Sequence, residues 1–206
     1  MANNFINAIK TNISAESSAP TEIYAHATKK AIIIELDASN KSSAGITIGV
    51  GVEDTTANGS AFTGITVATN GTFTKSGSAH GFSVNDRVIF VAGTPPTIAL
   101  GSSDTTLSVT RRYFVQAVTA GTGGTFHIAE TRSATTAITF TNTGSITNVK
   151  LLQFAELVRD APIPVGGALK VIAGQKMVLE ATDKLFTWCS SASTVDIVTS
   201  ILEDVS

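Results

Sequence analysis

The stretch from Pro162 to Glu203 constrains the fold of this chain most. Four short β segments follow one another there. Leu169 to Ile172 comes first, Lys176 to Glu180 second, Leu185 to Cys189 third and Val195 to Leu202 last. Gly174-Gln175, then Thr182-Asp183, then Ser190, Ser191 and Ser193 separate them. Runs this short, rich in β-branched residues and bounded by Gly, Ser and Asp, mark antiparallel strands joined by tight turns. The expected arrangement is a meander with one apolar face and an edge at each end. A second sheet must then come from elsewhere in the chain.

The upstream residues offer strands for it. Glu22 to Ala25 is a short candidate. Ala31 to Leu36 is nearly all apolar, which suits a strand buried on both faces or near the centre of a sheet. Asn40 to Ser43 reads as a turn. Ile46, Ile48, Val50 and Val52 alternate with Thr47, Gly49 and Gly51, the clearest period-two pattern in the chain. The glycines point to a bulge or a close neighbour on the other face. Further on, Leu151 to Val158 reads as a strand. Arg159 to Pro164 reads as an extended connector stiffened by two prolines.

Composition shifts at about Asn58. From there to Val149 about one residue in five is threonine, and five basic residues stand against three acidic ones, a balance of +2. The flanks hold nine and thirteen, a balance of −4, so the chain totals −2. The segment reads as an inserted domain. Its expected strands are Gly71 to Thr74, Arg87 to Val91, Tyr113 to Val118, Thr125 to Ala129 and Ala137 to Thr141. Pro95-Pro96 must lie in a loop or at an edge, since neither donates to a ladder. Gly121 to Gly124 is a hairpin loop. The expected fold class is all-β. Both chain ends, 1–57 and 150–206, form an antiparallel, jelly-roll-like β-sandwich, and 58–149 forms a small inserted β-barrel or sandwich.

The residues that carry chemistry are few and scattered. His26, His80 and His127 lie far apart, with no metal-ligand spacing. Cys189 has no partner for an internal disulfide and reads as a small buried residue beside Trp188, not a nucleophile. Asp183, Asp196, Glu203 and Asp204 lack the alternating acidic spacing of a calcium loop. No G-x-S-x-G is present, and Gly121-Thr122-Gly123-Gly124 is not followed by Lys-Ser/Thr. Arg111-Arg112 is too small a patch for nucleic acid, and the low net charge supplies no field for nucleic acid or an anionic membrane. No apolar run approaches the ~20 residues of a membrane helix. Met1 to Phe5 carries no charged segment followed by an apolar core, so a cytoplasmic start is expected. No catalytic residue, metal or cofactor is expected.

The candidate interaction residues are Phe5, Ile9 and Ile13. Their spacing of four residues suits one or two amphipathic turns, against which Asn3, Asn4, Asn7 and Asn12 count. Such an arm either lies on the chain's own core or docks on a neighbouring subunit.

Several of these segments together resemble a family of small structural proteins of tailed bacteriophage virions. The resemblance rests on Ile23-Tyr24 before Ala31 to Leu36, Asn40-Lys41, and the alternating Ile46 to Val52. It continues through Ala161-Pro162-Ile163-Pro164-Val165-Gly166, Gly174-Gln175-Lys176, Val178-Leu179-Glu180 and Asp183. It ends with Val195-Asp196-Ile197-Val198 and Ser200-Ile201-Leu202-Glu203. Where that family usually has Gly before the aspartate, this chain has Thr182. The insert separately resembles a β module of phage tail and fibre proteins. There the match is His80-Gly81-Phe82, Asp86-Arg87-Val88, Pro96, Tyr113-Phe114-Val115, Phe126-His127-Ile128-Ala129, Ile138-Thr139-Phe140 and Gly144-Ser145.

The resemblance implies a non-enzymatic virion part, assembled in the host cytoplasm, that decorates or cements the capsid shell. A neck or tail component is the alternative, and a carbohydrate-binding β protein a more distant one. The partners it implies are other copies of the chain, in a trimer or ring, and the major capsid protein or neck and tail proteins.

Overall fold

The computed structural model of the chain describes residues 4–204, so Asn3 of the arm lies outside the described residues. The early strands are β1 (Asn4–Lys10), β2 (Thr21–Ala25), β3 (Ala31–Asn40) and β4 (Ile46–Asp54). Next come β5 (Ile65–Val67), β6 (Phe73–Lys75), β7 (Arg87–Ala92) and β8 (Ile98–Leu100). Then follow β9 (Tyr113–Thr119), β10 (Thr125–Ala129), β11 (Thr139–Phe140) and β12 (Asn148–Ile163). The last four are β13 (Ala168–Ile172), β14 (Met177–Leu179), β15 (Lys184–Cys189) and β16 (Val195–Glu203). The described chain is all-β, with antiparallel sheets packed as sandwich-like layers. It divides into two compact units, Met1–Thr56 with Phe154–Ser206, and Ala57–Gln153.

In the first unit one sheet runs β1-β16-β3-β13, with β14 also on β3, and the other runs β2-β15-β4-β12. First pairs with last, second with next to last, and so inward to β4 with β12. That order is a jelly roll: a long hairpin rolled so that alternate strand pairs fall in opposite sheets. In sequence the second unit lies between β4 and β12.

The meander expected over 162–203 is therefore not formed. β15 pairs with β2 and β4, while β16 pairs with β1 and β3. The breaks at 180–183 and 190–194 carry the chain from one sheet to the other instead of reversing it within one. The break at Gly174-Gln175 does neither. β13 pairs with β3 from Ser39 to Leu36, and β14 continues along the same strand from Ile33 to Ala31. The two are one edge strand interrupted at 173–176.

β3 shows why its sequence looks apolar throughout. Ser200 of β16 pairs with Glu35 and Ile201 with Ile33, so Ile34 is an extra residue. A bulge shifts side-chain parity by one. Ala31 and Ile33 face the core before it, and Leu36, Ala38 and Asn40 after it. Two alternating patterns joined out of phase read as one continuous run. Asn40 ends this strand instead of starting a turn. Its amide donates to the carbonyls of Ala44, Ile163 and Pro164 at 2.8, 3.1 and 3.1 Å. Its oxygen accepts from the Ser42 N–H at 2.8 Å, and so it organises the turn that follows.

On β4 the close neighbours of the glycines are aromatic rings. A Cβ at Gly49 would lie 2.1 Å from the Trp188 ring, and one at Gly51 would lie 2.2 Å from that of Phe154. The expected connector 159–164 belongs largely to β12, which runs on through Pro162 to Ile163. Thr182 takes a left-handed backbone, φ 74°, at the position where glycine would be unstrained. The core between the sheets is aliphatic, built on Ile13, Ile33, Leu36, Ile48, Val50, Leu185 and Ile197.

The second unit has its own, aromatic core. Its main sheet runs β12-β7-β9-β10-β6-β5, with β8 and β11 forming a separate pair. The sheet does not close into a barrel. β9 and β10 form the hairpin expected around Gly121 to Gly124. Phe73 stacks on Phe90 and Phe126 with centroids 5.1 and 5.0 Å apart, and Phe140 meets it edge-on. β5 and β8 have no counterpart among the strands read from sequence. Three residues among Thr and Gly carry too little alternation to register.

Candidate interaction face

The arm is a strand. Seven residues of β1 pair with β16 without a register shift, from Asn4↔Glu203 to Lys10↔Ile197. Period two keeps Phe5 and Ile9 on one face of the strand, but β1 ends at Lys10 and the chain turns at Asn12, φ 58°, so Ile13 parts from them. Phe5 and Ile9 point outward, 68% and 63% exposed. Ile13 lies beyond β1 and is fully buried in the sandwich core. It is removed from the candidate interaction residues because its side chain is already used.

Phe5 and Ile9 do not stand alone on the outer face of their sheet. Phe5 lies opposite Leu202, Leu202 opposite Ile32, and Ile32 opposite Val178. This apolar row crosses four strand positions, about 14 Å at the usual strand spacing. Ile9 lies opposite Val198 in a second, shorter row. Val178 is 58% and Val198 46% exposed. Between and beside the rows are Asn7, Ser200 and Glu35, with Lys170 pairing to Glu35. Cross-strand neighbours of this kind make a continuous patch, unlike single exposed apolar residues, which need no explanation. The signal was present in β16. Val195, Ile197 and Ile201 occupy one parity, Val198 and Leu202 the other, so both faces of the strand are apolar.

The remaining candidates fall into structural places. The His26 ring nitrogen Nδ1 accepts from the Thr28 and Lys29 N–H groups and shapes a turn. His80 is buried, with Nδ1 accepting from the Phe82 N–H at 3.0 Å and Nε2 3.1 Å from the Thr119 carbonyl. His127 lies 3.1 Å from the Thr72 hydroxyl. Among the described residues no group of three or more His, Cys, Asp or Glu is placed to hold a metal ion. The Cys189 thiol is enclosed and donates to the carbonyls of Ile13 and Ser191, and burial pushes its pKa up.

The acidic residues separate as well. Asp183 accepts from the Glu180 N–H at 3.0 Å, and burial raises its carboxyl above the usual range. Asp196 is held below it by Lys41, 2.9 Å away, with the Asn12 N–H adding to the effect. Glu203 is buried and accepts from Tyr24 Oη at 2.9 Å and Asn4 Nδ2 at 3.3 Å. Burial alone would raise its pKa; these donors and the charge of Lys29 outweigh it and lower it. Arg111 is likewise buried, its Nη1 2.7 Å from both Asp104 and Glu130. It pins the 101–112 loop to the strand end at Glu130.

Among the described residues no helix is long and apolar enough to cross a membrane. Compared with known proteins, the chain matches no family model, no curated protein and no solved structure.

Proposed function

We propose that this chain is a non-enzymatic structural protein of a tailed-bacteriophage particle, which decorates or cements the head shell through surface contacts. The observation that carries the reading is the pair of apolar rows on the outer face of the β1-β16-β3-β14 sheet. Solvent-facing sheets normally alternate toward polar residues on the outside. This face instead offers Phe5, Ile9, Ile32, Val178, Val198 and Leu202 for burial against a partner. The resemblance of the flanking segments to virion proteins supports the same class. A neck or tail position is the alternative within it, and copy number separates the two. A shell protein is present in numbers comparable to the major capsid protein, whereas a neck or tail part forms a small ring.

The test uses particles of the phage that encodes the chain, with the double variant Val178→Lys/Val198→Lys. Both side chains are exposed, so the melting temperature should stay within about 0.5 kcal/mol equivalent of wild type. Occupancy on the particle, read by gel densitometry, should fall sharply. Full occupancy of the variant at unchanged stability would show that this face does not carry the contact.

A further inference from the structure

β1 buries less of its side chains than the other edge strands of the jelly roll. Its burial pattern contains no buried residue, and only Ile6 and Ala8 are packed against the core. By contrast β2 buries Ile23 and Tyr24, and the interrupted strand β13–β14 buries Ile172 and Leu179. What holds β1 is its unbroken ladder to β16, with side-chain bonds from Asn4 to Glu203 and from Ser200 to Asn7.

A firm anchor follows it at once. Ile13 is fully buried, its N–H donates to the Val195 carbonyl at 3.0 Å, and its carbonyl accepts from the Ser193 N–H at 2.9 Å. Only Thr11 and Asn12 separate strand from anchor. Asn12 is left-handed, φ 58°, and its backbone N–H donates to Asp196 at 3.0 Å. One residue therefore sets the direction in which the chain leaves the anchor.

We propose that β1 is an exchangeable strand, which leaves its own β16 and pairs in the same register with β16 of a second copy. The second copy is the occupant that fits, because its β16 presents the same edge, and the same Glu203 and Ser200, that β1 already pairs with. Every ladder bond is regained, Ile13 stays in its own core, and only the hinge at Thr11-Asn12 changes. Exchange of identical elements is a low-cost route to assembly. A tethered strand competes at an effective concentration of about millimolar. Closed chains therefore prevail in dilute solution, and exchange requires copies held side by side, as on a particle surface. The proposal rests on the structural-protein reading for that crowding, but its own test is independent of it.

The test is a cysteine pair at Asn7 and Ser200, which face each other across the two strands with Ser200 Oγ 3.2 Å from Asn7 Oδ1. Buried Cys189 stays out of the oxidation. The full-length Asn7→Cys/Ser200→Cys protein is oxidised mildly over a concentration series reaching about millimolar. Exchange gives disulfide-linked dimers and longer species on a non-reducing gel, increasing with concentration. Each single-cysteine variant, whose thiols can link only like to like and in pairs, should give fewer dimers and no longer species. Adding Asn12→Pro, which cannot hold a positive φ, should move the ladder to lower concentration, and Asn12→Gly should not. Should the proline variant fail to fold, the series with the native hinge still decides.

Internally linked monomers at every concentration overturn the exchange, even if light scattering finds oligomers; the structural-protein reading would then survive. A ladder as strong in the single-cysteine controls overturns it too. Linked oligomers that fail to occupy the particle would leave exchange standing and sink the structural-protein reading instead.

Discussion

Thr199 lies in the middle of β16 with its side chain in the core. It is fully buried, and its hydroxyl finds no hydrogen-bond partner among the described residues. A buried hydroxyl without a partner keeps its desolvation cost with nothing to offset it. Thr199→Val should therefore stabilise the protein, by about 1 kcal/mol, read from the urea midpoint at unchanged slope. A loss of stability would mean that the hydroxyl is bonded after all. Sequence made much of this scale legible. Cys189 is buried as its neighbours suggested. Gly49 and Gly51 do meet close neighbours, but which rings they meet depends on β15 and β12, more than a hundred residues away in the chain. Ile13 could not be told from Phe5 and Ile9 because a spacing of four puts all three on one face of a strand as of a helix; the end of β1 at Lys10 and the left-handed Asn12 part them.

At the scale of elements, strand positions were legible and strand partners were not. The four segments of 169–202 are strands close to their expected bounds, yet none pairs with its successor. Local residues decide where a strand begins and breaks; its neighbour is chosen by the whole set of apolar faces that must be covered. Glu203, at the end of β16, shows that selection in one group. It accepts from Tyr24 on β2 and Asn4 on β1, and lies 3.5 Å from Lys29 just before β3. Its pKa is lowered in the folded state. The stability it contributes is thus present above the unfolded value, about pH 4.3, and is lost as pH falls through the lower folded value. Glu203→Gln should be less stable than wild type at neutral pH, and the gap should narrow as the pH is taken below about 4. A gap that stays constant in urea titrations across that range would show that the carboxylate's charge is not what ties these strands.

At the scale of the whole molecule, two cores coexist in one chain. Seven of the ten phenylalanines fall within Ala57–Gln153, and the rest of the chain builds its core mainly from Ile, Leu and Val. β4 and β12 are hydrogen-bonded neighbours, so the chain leaves and re-enters the jelly roll at adjacent strands. Replacing 57–153 with a short Gly-Ser linker should leave a folded, soluble β domain, since closure entropy grows only as the logarithm of loop length. A linker protein without β circular dichroism, beside a folded full chain, would show that the jelly roll needs the insert. The all-β class, the breaks between most strands and the compositional shift of the middle segment were legible from the residues alone, because these depend on period, turn residues and composition within a few neighbours. The jelly-roll-like sandwich was expected, but the strand partners that build it, the bulge that puts β3 out of phase and the apolar rows on the outer sheet face became visible only in the folded chain. Those follow from pairing residues as far apart as Phe5 and Leu202, and no local pattern carries the free energy of contacts that distant.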